Sequence, residues 1–354
     1  MIKTRRPLAL AAAFAVTLLI GGSTVTAAAP ATEDRGAAPA SDAGRGTPPV
    51  PVIRATEVAK VAPLDPPSVF GHATVLEGPA FGPNGHLYFV DFTAPAGKPK
   101  ILEYDLRTRA VKPVYTDATS RFSSLQFSPA DAKMYVTDFD NGKIDRLNPD
   151  GTGFTTVFSG PVDGRKMVPD DIAFDKAGDM YIADYQGSPW DPTGRVVRLS
   201  ADGTDPTVVQ GGLSAPNGIS FTPDFSGLWV SEYSLGREDQ FMLAPDGKSV
   251  VAGNVGMSAN TGLRGFDSNT VDAAGNVYQV VIGAGKILVW NQDGDQIATI
   301  AIPQEPKPEP LVSNLVIKPG TTDGYITVGG DNGGYIYKFR SLAPGIPQSN
   351  GGGA

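Results

Sequence analysis

The sequence has 354 residues, no cysteine and a formal charge of −8. Without thiols there is no cysteine nucleophile, no thiolate zinc site and no lipid-anchored mature N-terminus. The acidic balance argues against nucleic acid as a partner, because phosphates need a basic face.

In chain order, Lys3, Arg5 and Arg6 precede an apolar run from Leu8 to Ile20, and Ala27-Ala28-Ala29 offers a small-residue cleavage site. Residues 1–29 therefore read as a secretory signal, which makes the mature protein a secreted, extracytoplasmic one. Thr4-Arg5-Arg6-Pro7-Leu8 resembles a twin-arginine signal, so both export routes stay open. The apolar run is too short and too rich in Ala for a good membrane span, so no membrane association is expected after cleavage. Residues 30–53, rich in Ala, Pro, Gly and Asp, read as a disordered linker. Residues 341–354, rich in Pro and Gly, read as a flexible tail. Residues 54–340 remain, enough for one large core without disulfides.

Within that core one unit recurs six times: a polar or small start, an apolar strand, a Pro/Asp/Gly turn and an aromatic strand. The apolar residues closing each first strand are Phe81, Phe127, Phe174, Phe221, Val271 and Ile317, spaced 46 to 50 residues apart. The third unit predicts strands at 171–174, 180–184, 195–199 and 207–210, separated by Gly- and Asp-containing turns. No stretch of the core has helical spacing. Four antiparallel strands repeated six times predict an all-β, six-bladed β-propeller. The sixth unit lacks an outer strand, whereas residues 54–61 belong to no blade. They are expected to pair into the sixth blade and close the ring of a monomer.

The residue four before each anchor is Glu77, Ser123, Asp170, Asn217, Asp267 and Ser313. Equivalent positions of rotated repeats lie at one depth, so three carboxylates and an amide converge at one mouth of the pore. Two such charges about 4 Å apart repel by roughly 4 kcal/mol at an effective dielectric near 20. A divalent ion resolves that conflict. Oxygen ligands favour Ca2+, with Mg2+, Mn2+ or Zn2+ as further candidates.

Other chemistry is sparse. There are two histidines, His72 and His86. His86 falls in a turn and reads as solvated. The sequence contains no G-x-S-x-G elbow, no H-E-x-x-H and no P-loop. Asp138-Phe139-Asp140-Asn141-Gly142 reads as a turn, not a calcium loop. Trp190, Tyr233 and Arg264 fall in loops expected over the pore.

Glu77-Gly78-Pro79, Asn217-Gly218 after Ala215-Pro216, and Asp267 each begin an inner strand. Together with Asp170 to Asp175, Tyr185 to Ser188 and Ile287 to Asn291, they resemble the gluconolactonase, regucalcin and luciferin-regenerating-enzyme family. The branch that fits best is that of the drug-responsive lactonase. The resemblance covers about Thr74 to Arg340 and implies a six-bladed propeller with a metal in the pore. It implies Glu77, Asp170, Asn217, Asp267 and Ser268 as metal ligands, Asp267 as the acid/base with Asp170 in reserve, and a small-molecule lactone or ester as substrate. It also implies a second calcium, held partly by residues 160–169. A non-catalytic binding propeller and another metal-dependent hydrolase, such as a phosphotriesterase, stand as alternatives.

Overall fold

The computed structural model describes residues 49–63, 74–262, 264–303 and 310–347. The proposed signal, most of the linker, His72 and the last residues of the tail lie outside the described residues. Six four-stranded antiparallel blades follow one another around an axis, so the chain is a six-bladed β-propeller. Blade 1 comprises Leu76–Phe81, Leu87–Asp91, Pro99–Tyr104 and Val111–Thr116. Blade 3 comprises Pro169–Phe174, Met180–Asp184, Gly194–Leu199 and Thr207–Leu213, within a few residues of the expected strands. In each blade the first strand, which carries the polar start, packs against the first strands of the neighbouring blades around the axis.

The repeat pattern is also the packing pattern. The aromatic of each second strand lies on the apolar anchor of the following blade. Tyr88 meets Phe127, Tyr135 meets Phe174 and Tyr181 meets Phe221, edge to face with centroids 5.0–5.2 Å apart. Trp229 packs in one cluster with Val271, and Tyr278 in one cluster with Ile317. Tyr325 then meets Phe81 at 5.6 Å, which closes the circle. Each edge-to-face pair contributes about 0.5–1.5 kcal/mol beyond the area it buries.

Closure occurs where the sequence predicts it. Thr56–Ala62 pairs antiparallel with Gly334–Arg340 as the outer strand of blade 6. The two expected edges move. Val52–Arg54, which spans the end of the expected linker and the first residue of the expected closing strand, pairs parallel with Gln296–Ala301 and gives blade 5 a fifth strand. At the other end, the first residues of the expected flexible tail are pinned. Leu342 N donates to the Tyr278 hydroxyl at 2.8 Å, and Ala273 N donates to Pro344 O at 2.8 Å. In both places backbone hydrogen bonds, which composition does not reveal, decide the conformation.

Candidate functional site

Each of the six inner strands carries a register shift, and each shift falls at or beside the polar start. The shifts lie between Glu77 and Ala80, Phe122 and Ser124, Pro169 and Ile172, Pro216 and Ile219, Phe266 and Asn269, and Val312 and Asn314. A bulge takes residues out of the ladder and re-aims their side chains. Successive residues therefore serve the pore at two depths, where a regular strand would send them to opposite faces. In two blades the residue after the polar start is glycine because the next blade passes too close for a side chain. A Cβ on Gly78 would stand 2.4 Å from Leu125 N, and one on Gly218 would stand 2.6 Å from Asn269 N.

The upper layer opens into a cavity of about 400 Å³ lined by Glu77, Asp170, Asn217 and Asp267, as the sequence predicts. Asn217 Nδ2 donates to Asp170 Oδ2 at 2.9 Å. The remaining Asn217 oxygen, Oδ1, and Asp267 Oδ2 are buried without a hydrogen-bond partner. The two serines of the ring do different work. Ser123 Oγ donates to Pro169 O at 2.9 Å, and Ser313 Oγ donates to Leu76 O, so both stitch one blade to the next.

The lower layer contains a carboxylate that sequence reasoning missed. Asp171 is buried, receives the Asn314 amide at 3.4 Å and shares a hydrogen bond with Ser268. Ser268, expected among the metal ligands, thus belongs to this deeper layer beside Asp171. The signal was present in the residues after the ring: Asp171, Ser268 and Asn314 repeat the polar pattern one step on.

Burial is the first cause raising the carboxyl pKa of Glu77, Asp170 and Asp267 well above the ordinary range, and neighbouring pore carboxylates add to it. Asp171 is pushed up to about 6, again by burial first, against hydrogen bonds that pull it down. Four acidic groups that hold one another's protons have the chemistry of a cation site. The oxygen donors and the two orphaned buried oxygens fit a hard divalent ion that keeps part of its water. Among the described residues, no group of three or more carboxylate or histidine side chains is placed to hold an ion by itself.

The wall above the ring is asymmetric. Phe92, Phe139, Tyr185 and Tyr233 follow the second strands of blades 1 to 4 and form a chain of ring contacts at 5.5, 5.8 and 5.7 Å. Blade 5 supplies Ile282 and Gly283 instead. Each aromatic is preceded by a buried acid that clasps the segment leading into its own blade. Asp138 accepts Arg121 N at 3.3 Å, Asp184 accepts Val168 N at 2.7 Å and Glu232 accepts Ser214 N at 2.6 Å. Asp91 accepts the Thr93 hydroxyl, which itself receives Val75 N.

The loop residues divide. Tyr233 and Arg264 line the cavity, and Arg264 Nε donates to Gly283 O at 2.9 Å. Trp190 is 93% exposed and does not line it. His86 lies away from the pore, where Glu103 takes its Nδ1 at 2.6 Å, so it is a paired residue and not a freely solvated one. Residues 139–142 form a turn, closed by Gly142 N donating to Asp138 O.

Comparison with known proteins agrees with this geometry. Residues 76–312 match the model of the SMP-30/Gluconolactonase/LRE-like region, and the chain belongs to that family. It is 26% identical over 313 residues to Lactonase drp35 of Staphylococcus haemolyticus, covering 84% of this chain and 92% of the relative. A gluconolactonase from Xanthomonas campestris superposes with TM-score 0.62 at 21% identity, over 81% of this chain and 97% of that one. A calcium-binding protein, regucalcin, from Agrobacterium tumefaciens gives TM-score 0.64 at 15% identity, over 84% and 99%. At these identities the two solved structures speak for the fold alone.

Proposed function

We propose that this member of the family is an exported hydrolase that opens lactone rings at the mouth of its pore. A divalent ion, calcium first, would be held there by Glu77, Asp170, Asn217 and Asp267. The observation that carries the reading is the pair of buried, unpartnered oxygens on Asn217 and Asp267, set among acids that raise one another's pKa. The lactonase relatives and the family support the substrate class.

When bound, the ion supplies charge compensation to the ring of acids and polarises the substrate carbonyl. The chain's own residues do the rest. Asp267 accepts the proton of the attacking water and returns it to the ring oxygen as the acyl C–O bond breaks, so the ring opens to a hydroxy acid. Asp170, less buried and held by the Asn217 amide, is the reserve base. The aromatic chain shields one side of the cavity from water and offers an apolar surface to the part of the substrate that does not react.

The test is a panel of lactones, aryl esters and phosphotriesters, assayed with calcium, with excess EDTA and after calcium is restored. Lactone turnover is expected to fall at least tenfold in EDTA and to recover. Lactone turnover indifferent to EDTA would refute the metal-dependent reading. Calcium-dependent thermal stability without turnover would make the chain a binding propeller, and a preference for phosphotriesters would make it a different hydrolase.

A further inference from the structure

The loop before blade 3 is where the resemblance implies a second calcium, and its residues do not fit one. Calcium needs six to eight oxygens free to face it. Here Val162 O, Arg165 O and the Asp184 carboxylate are already taken by nitrogen donors, chiefly by one side chain. Arg195 is 2% exposed and is the second residue of the third strand of blade 3. Its Nη1 donates to Val162 O at 2.7 Å, and its Nη2 makes a longer contact to Arg165 O at 3.5 Å. Its Nε and Nη2 reach Asp184 Oδ2 at 2.8 and 2.6 Å.

Neighbouring oxygens are engaged too. Asp184 Oδ1 accepts Val168 N and Gln186 Nε2, both at 2.7 Å. Gln186 Nε2 also donates to Lys166 O at 2.9 Å, and Lys166 Nζ donates to Asp140 O at 2.8 Å. The loop's own acid, Asp163, is exposed. A divalent cation placed among these oxygens would displace or be repelled by a buried guanidinium.

We infer that the Arg195 guanidinium is the resident cation of this loop, filling by covalent attachment the place of a metal, so that residues 160–168 hold their conformation without any divalent ion. Five N–H donors in a planar fork match this surrounding, with two loop carbonyls on one side and a carboxylate on the other. The inference holds whatever reaction the pore performs.

Hydrogen–deuterium exchange of the whole mature chain tests it, read on peptides covering residues 158–167. In the parent, exchange there is expected to be the same in calcium and in excess EDTA. In Arg195→Met it should accelerate at least tenfold in both conditions, with Arg195→Lys between. Acceleration in the parent on adding EDTA would overturn the inference, because the loop would then depend on a metal. An Arg195→Met variant with unchanged exchange would also overturn it. Should that variant fail to fold, the parent comparison decides alone. Peptides covering 76–81 and 266–271 report separately on an ion in the pore, so failure of that reading is seen independently.

Discussion

Two sets of buried carboxylates, a few residues apart on the same blades, meet opposite fates. Asp91, Asp138, Asp184 and Glu232, which end the second strands of blades 1 to 4, are each satisfied from within: the last three by the backbone of the segment entering their blade, Asp91 by the Thr93 hydroxyl that holds that backbone, and in blades 3 and 4 also by Arg195 and Arg237. On the inner strands burial raises Glu77, Asp170, Asp171 and Asp267, and neighbouring carboxylates push Glu77, Asp170 and Asp267 further up. The first set contributes to the fold. On the proposed reading, the second set lowers the stability of the ion-free protein and is kept for what it binds. The same residue type is structural where the chain supplies its counter-group and, on the proposed reading, functional where it does not.

Substitutions that remove one charge at a time test that division. The largest effect is expected at Asp267→Asn. It should lower kcat for lactones by about 10²–10⁴-fold, while thermal unfolding in EDTA rises or stays level because one repulsive charge is gone. Loss of both activity and stability would place Asp267 in the structural set. Asp184→Asn should do the reverse. Leaving Arg195 buried and uncompensated should cost about 3–5 kcal/mol in urea unfolding, with kcat per folded molecule preserved.

Asp145 sharpens the comparison, because it is a buried acid of blade 2 outside the pore. Burial pushes its carboxyl up to about 6, against the pull of the Thr156 hydroxyl at 2.6 Å and with a further push from Asp138. The folded state therefore holds this proton more tightly than the unfolded chain, whose carboxyl ionises at its ordinary lower value. The stabilisation is complete at acid pH, declines as pH rises between the two values and is absent above about 6. Asp145→Asn should gain about 1–3 kcal/mol over the parent at pH 7.5, and the gain should vanish near pH 4 in urea titrations at both pH values. A gain independent of pH would exclude ionisation as its cause. The smallest effect is expected on the aromatic side of the mouth. Tyr185→Leu should raise KM for lactones about fivefold, roughly 1 kcal/mol, with little change in kcat.

How much of this is legible in the sequence depends on whether the repeat carries it. The anchors Phe81 to Ile317, the closing strand and the upper ring follow from period and rotation, since equivalent positions share a depth. Asp171 and Asn314 escaped because strand alternation sends neighbours to opposite faces, and the bulge in every inner strand suspends that rule. Asp138, Asp184 and Glu232 were visible as acids before aromatics, yet only geometry shows that the acid clasps its blade while the aromatic faces the pore. Trp190 shows the converse: a tryptophan in a loop expected over the pore stands almost wholly in solvent. Val52–Arg54 is too short a strand to stand out against a Pro-rich background.

The most direct measurement is calorimetric titration of calcium into the metal-free chain, in two buffers of different ionisation enthalpy so that proton release is counted. The expected result is one ion per chain, with protons released as the pore acids ionise around it, unchanged in stoichiometry by Asp184→Asn and weakened at least tenfold by Glu77→Gln. Absence of binding at millimolar calcium, or equal affinity in Glu77→Gln, would contradict the claim that the inner-strand acids are gathered for a cation.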